Sequence, residues 1–102
     1  MPITVQIDAT ENTVILKISD QFDYSMHQDF RESYRHENEQ GIVFRIDLSN
    51  TTYMDSSALG MILLLKEHTD KLGGKVIIEK PNDSVSKILS IAKFESFVTI
   101  EH

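Results

Sequence analysis

Apolar and polar residues first alternate with a period of two. In "ITVQI", Ile3, Val5 and Ile7 share one side with polar residues between them, the signature of a strand. "ATENT" is polar and turn-like. "VILKI", Val14 to Ile18, is a second strand, and the short link predicts an antiparallel hairpin. "SDQFD" breaks the run and the period changes to four. Met26, Phe30 and Tyr34 then share one face of a first helix. Asp23 or Ser25 can cap it, and Ser25 with Gln28 fits a capping box. The charged run Arg31 to Glu39 is its solvated side, and Gly41 is its stop.

The second half repeats the alternation. "IVFRIDLS" is a third strand, with Ile42, Phe44, Ile46 and Leu48 on one face and "SNTTYMD" following as a loop. A second helix runs from about Ser57 to Lys71 and is stopped by Gly73 and Gly74. "KVIIE" is a buried strand ended by Pro81. "NDSVSKILSIAKF" is a third helix, capped by Asn82 or Asp83 and buried along Val85, Ile88, Leu89 and Ala92. "FVTI" is a short last strand. The order ββαβαβαβ predicts an α/β domain over residues 1–102. It has a mixed, mostly parallel sheet of four to five strands, with helices packed on it and right-handed crossovers. Strand order does not follow from the pattern.

Length and composition agree with this reading. A chain of 102 residues with 40% hydrophobic and 25% charged residues is one ordinary globular domain. Ten basic against sixteen acidic residues give a formal charge of −6, which argues against nucleic acid as a direct partner. No apolar run is long enough for a membrane span. The first residues lack the charge and apolar pattern of a secretory signal. The absence of cysteine excludes disulfides and thiolate chemistry and fits a cytoplasmic location.

One junction stands out. In "YMDSSALGM" two serines follow an aspartate where the third strand gives way to the second helix. The plain structural role is capping, by Asp55 or Ser56, of free N–H groups at the helix start. Capping explains one polar residue better than two. The helix is also apolar around much of its circumference: Leu59, Ile62 and Leu63 can pack on the sheet. That turns Met61 or Leu64 toward another surface, which a partner protein would cover. A helix N-terminus favours an anion, so a phosphoryl group on Ser56 suits its own helix and changes the charge of an apolar surface.

Enzyme readings find little support. "DSSALG" is not a hydrolase elbow. His27, His36, His68 and His102 lack metal-ligand spacing and read as solvated or structural. "KLGGK" follows a helix and precedes a strand, the reverse of a phosphate-binding loop. No cofactor is implied.

"VFRIDLSNTTYMDSSALGMILLL", with "FD" at Phe22 and Asp23, resembles the STAS domain of bacterial anti-sigma factor antagonists, and the resemblance covers nearly the whole chain. It implies a non-enzymatic switch. Ser56 would be the phosphorylation site, supported by Asp55, Ser57 and Asp23. The unphosphorylated form would bind an anti-sigma factor or a related serine kinase of the switch-protein type. A PP2C-type phosphatase would restore that form. Partner contacts would come from Met54, Ser56, Ser57, Met61 and Leu64. The form of the motif looks closest to a Gram-negative branch, implying a response regulator with kinase or phosphatase domains as partner. The alternative within the same fold is a constitutive adaptor subunit, for example of a lipid-transport complex, with the serine only a cap. Two positions depart from the family pattern: Ala58 stands where glycine is common, and Asp20 where a glycine often precedes "xFD".

Overall fold

Five strands lie in the order in which the chain makes them, β1-β2-β3-β4-β5, in the computed structural model, which describes residues 3–102. β1 (Ile3–Asp8) and β2 (Thr13–Phe22) form the antiparallel hairpin. β3 (Val43–Met54), β4 (Lys75–Glu79) and β5 (Thr99–Glu101) add in parallel. The connecting helices are α1 (His27–Tyr34), α2 (Ser56–Asp70) and α3 (Asp83–Ile91).

Sequential order decides the layering. Every crossover steps the same way along the sheet, and right-handed crossovers that never reverse direction put all their helices on one face. The register bears this out. Val14, Phe44 and Val76 are partners across three strands, as are Leu16, Ile46 and Ile78, and all are buried in one core with residues of the three helices. The opposite face carries Lys17, Arg45, Lys75 and Glu79. There Arg45 pairs with Glu79 at 3.3 Å and with Glu101 at 3.0 Å.

Several expectations from the pattern are corrected. "SDQFD" and "SNTTYMD" are not breaks or loops. They extend β2 to Phe22 and β3 to Met54, paired with each other across register shifts. Polar sequence is tolerated because Thr51, buried, donates its hydroxyl to the Ile18 carbonyl at 2.8 Å, and Thr52 donates to the Asp20 carbonyl at 3.1 Å. α1 stops at Tyr34, six residues short of the expected region, because no apolar residue follows Tyr34 at helical spacing. Gly41, at φ +73°, instead turns the chain into β3. Asp23 starts the first helical segment, accepting from the Ser25 amide at 3.0 Å ahead of a short 3-10 turn. The Ser25–Gln28 capping box does not form, since the Ser25 hydroxyl also donates to Asp23. "FVTI" joins the sheet only from Thr99 onward.

Buried stripes otherwise follow the pattern. Met26, Phe30 and Tyr34 are buried, as are Val85 and Leu89, with Ile88 and Ala92 half-buried. In β1 only Ile3 is covered, while Val5 and Ile7 are exposed. Gly74 is required by a close approach. A Cβ there would collide with the Ile42 carbonyl, the same oxygen that accepts the Lys75 amide.

Candidate functional site

Three caps line the C-terminal edge of the parallel strands. Asp23 follows β2, Asp55 follows β3, and Asn82 lies just beyond β4. Each accepts from a backbone N–H at the start of the helical segment that follows. Phe22 and Met54 are register partners, and the Asp55 amide donates to the Phe22 carbonyl at 3.3 Å. Asp23 and Asp55 therefore stand abreast. Asn82 ties this edge together by donating from Nδ2 to the Thr51 carbonyl at 2.9 Å.

Asp55 separates the two serines. Its Oδ1 accepts the Ala58 amide at 3.2 Å, and the half-buried Ser57 hydroxyl donates to the same oxygen. Ser56, the first residue of α2, is exposed, and its hydroxyl has no hydrogen-bond partner among the described residues. One hydroxyl is thus committed to the cap and the other is free for chemistry. It projects where unpaired N–H groups and the positive end of the helix dipole favour an anion.

Asp20 has φ +66°, in the left-handed region that favours glycine. Its departure from the family pattern therefore falls where an L side chain carries backbone strain. Ala58, the other departure, is fully buried in the first turn of α2.

The surface around Ser56 differs from the expected one. Met54 and Met61 are 1% and 4% exposed, so neither presents a contact surface. Met54 points into the core from the end of β3, and Met61 is covered where α1 packs beside α2. Leu64 is 51% exposed, as expected of a contact residue, and Leu63, expected to pack on the sheet, is exposed with it. Residues four apart share a helix face, so Ser56, Gly60 and Leu64 form one exposed strip. Tyr24 and Tyr53 are exposed beside the two aspartates, and the Tyr24 ring stacks on His27 with centroids 5.4 Å apart. The pattern missed the two tyrosines and Gly60. Their only signal was position, next to Asp23, next to Met54–Asp55, and one turn after Ser56.

Of the remaining histidines, His68 is half-buried, whereas His36 and His102 are exposed. His68 hydrogen-bonds the Glu37 carbonyl at 2.9 Å and packs on Tyr34. His36 receives the Arg35 Nε–H at 3.1 Å. Among the described residues no helix is long and apolar enough to cross a membrane.

A five-stranded sheet with helices on one face and an aspartate-capped serine at the start of the second helix defines an α/β domain of the STAS type. The STAS domain family model matches residues 4–102, and the chain belongs to that family. It is 37% identical over 100 residues to a STAS-domain containing protein of Pseudomonas aeruginosa (strain UCBPP-PA14), covering 98% of this chain and 99% of that one. It is 27% identical to the anti-sigma-B factor antagonist of Bacillus subtilis (strain 168), covering 98% of this chain and 92% of that one. Its fold matches the anti-sigma factor antagonist SpoIIAA in its unphosphorylated form with a TM-score of 0.80. The sequence identity is 18%, over 96% of this chain and 86% of that one.

Proposed function

We propose that the chain is an anti-sigma factor antagonist, a cytoplasmic binding switch rather than a catalyst, written on at Ser56. The observation that carries this reading is the division of labour between the two hydroxyls. Ser57 serves the Asp55 cap, and Ser56 is exposed and unpaired at the head of an apolar strip. The similarity to an anti-sigma-B factor antagonist supports the same role.

In the unphosphorylated state the strip of Ser56, Gly60, Leu63 and Leu64 binds an anti-sigma factor or a switch kinase. Phosphorylation of Ser56 adds about −1.5 to −2 charges. The helix N-terminus tolerates them, so the fold persists. A partner surface built against Leu63 and Leu64 does not, because it would have to desolvate a dianion beside Asp55 and Asp23. Burying a poorly paired charge costs several kcal/mol, and each ~1.4 kcal/mol is a tenfold loss of affinity. A PP2C-type phosphatase, carried on a response regulator, reverses the change.

The test is intact mass with fragmentation on the protein taken from its own cells under two growth conditions. The expected result is a phosphoryl group on Ser56 whose occupancy changes. A protein never modified in any condition, and bound permanently to one complex, would overturn the switch in favour of a constitutive adaptor.

A further inference from the structure

The two edges of the sheet are guarded unequally. β5, at one edge, has three residues, and its Glu101 is held by Arg45 at 3.0 Å. Short, charged edges of this kind resist pairing with a further strand. β1, at the other edge, has six residues in unbroken register with β2, and its outer side meets no strand among the described residues. From Ile3 to Ile7 there is no charge, no proline and no bulge, and Asp8 at the end is the strand's one charged residue. Ile3, Thr4, Val5 and Ile7 are all β-branched, the type that favours strands. The apolar row of β1 also lies on the side of the sheet that elsewhere is core. Val5 opposes Leu16 and Ile7 opposes Val14, and both of those are buried. The core closes over Ile3 and stops there: Val5 is 42% exposed and Ile7 63%. An unpaired backbone edge and an uncovered apolar row thus coincide, and one added strand would satisfy both.

A second copy of β1 has the matching chemistry. Side chains alternate between faces, so an antiparallel pair keeps its apolar residues together only when the paired residue numbers have an even sum. A two-fold axis at Val5 meets this condition. It sets Val5 on Val5 of the second copy, Ile7 beside Ile3 of the second copy, and Thr4 beside Gln6 on the other face. Ile7, the more exposed of the two, then lies against the end of the strand where the core is already closed. The two Asp8 carboxylates fall outside the paired segment, at its opposite ends and about 20 Å apart. No like charges are opposed, which matters for a chain of formal charge −6 that repels its own copies.

We propose that β1 is a self-association edge, which joins two copies of this chain antiparallel about Val5 into one continuous sheet with both helical layers on the same side. The paired segment is about 17 Å long, small for a permanent dimer, so the copies exchange, with a dissociation constant of about 10 μM to 1 mM. The inference goes beyond the switch reading and does not rest on it. Ser56 begins α2, which packs on β3 and β4, so pairing at β1 leaves the serine accessible.

The full chain has no cysteine, so single cysteines report the register. Val5→Cys sets two thiols directly opposite each other, where Cα atoms stand about 4.5–5.5 Å apart, within the span of a disulfide. Ile7→Cys sets them four residues apart along the pair, about 13 Å, beyond that span. Mild oxidation at about 0.1 mM protein should link Val5→Cys into dimers about tenfold or more faster than Ile7→Cys or the exposed control Leu64→Cys. Sedimentation equilibrium of the wild type should show reversible dimer by about 1 mM. Ile7→Lys, at an exposed position, should weaken that dimer about tenfold or more while melting near the wild-type temperature in dilute solution. A wild type that stays monomeric throughout this range, or equal cross-linking at positions 5, 7 and 64, would overturn the proposal. So would a monomer whose β1 amides gain exchange protection only in complex with another protein, which would assign the edge to a strand of that protein. The Ser56 switch is read separately by its phosphorylation in cells, so either idea can fail while the other stands.

Discussion

Replacing Asp55 with alanine removes the atom on which both the helix start and the choice between the serines depend. Oδ1 of Asp55 caps the Ala58 amide at 3.2 Å and holds the Ser57 hydroxyl. Loss of an N-cap costs about 1 kcal/mol, within a range of roughly 0.5–2. Loss of the negative charge at a helix N-terminus adds ~0.3–1 kcal/mol, and a half-buried hydroxyl without its acceptor adds a comparable amount. These contributions overlap because they share one oxygen, so Asp55→Ala should cost about 2 kcal/mol. In a domain of this size that lowers the melting temperature by roughly 8–16 °C. Asp55→Asn keeps an acceptor and loses only the charge, so its loss should stay near 0.5 kcal/mol, or about 2–4 °C. Calorimetry of the three proteins at neutral pH separates the cases. An Asp55→Ala protein melting within about 3 °C of wild type would refute the cap assignment. Equal losses for alanine and asparagine would refute the claim that the acceptor, rather than the charge, holds the junction together.

Gly60 has no atom within 4 Å of where a Cβ would stand and lies on the exposed strip inside α2. Gly60→Ala should therefore stabilise by about 1 kcal/mol while weakening partner binding; a melting temperature no higher than wild type would sink the first half. Gly74→Ala forces a methyl into the Ile42 carbonyl and should cost about 1–3 kcal/mol or more by denaturant titration, and a neutral result would remove the close approach. Asp47 has its pKa lowered from 3.8. Burial alone would raise it, but hydrogen bonds from the Ser49 hydroxyl and amide, with Lys80 and Lys17 nearby, outweigh that. Its charge therefore stabilises the fold above the unfolded pKa, and the contribution is lost as pH falls through the lower folded value. Wild type should melt above Asp47→Asn at neutral pH, with the gap closing as the pH falls below the ordinary carboxylate range, and a gap that persists in strong acid would contradict the assignment.

The hairpin, the β4 span and the buried faces of α1 and α3 were legible in the sequence because their signal is local. Alternation in "ITVQI", the unbroken apolar run in "KVIIE", steps of four from Met26 to Tyr34, and the cap residue before α3 each lie within a few residues of one another. The outer parts of β2 and β3 were not legible. Ser19 to Gln21 and Asn50 to Thr52 are polar and interrupted by register shifts, so they are strands only because each supplies the other's hydrogen bonds. The surface of α2 was hidden for a related reason. Its sequence is apolar on nearly every side, and which side is covered depends on where α1 lands. Met61 lies under α1, whereas Leu63 and Leu64 remain outside.

The sequence alone determined the order of elements and placed an aspartate and two serines at a helix start, since propensity and capping act over a few residues. Only the tertiary structure decided which hydroxyl is free. Ser57 turns back to Asp55 at the edge built by β2 and β3, and Ser56 faces solvent beside a leucine strip. That distinction comes from three-dimensional direction at adjacent positions with the same side chain, and a one-dimensional pattern carries no such direction.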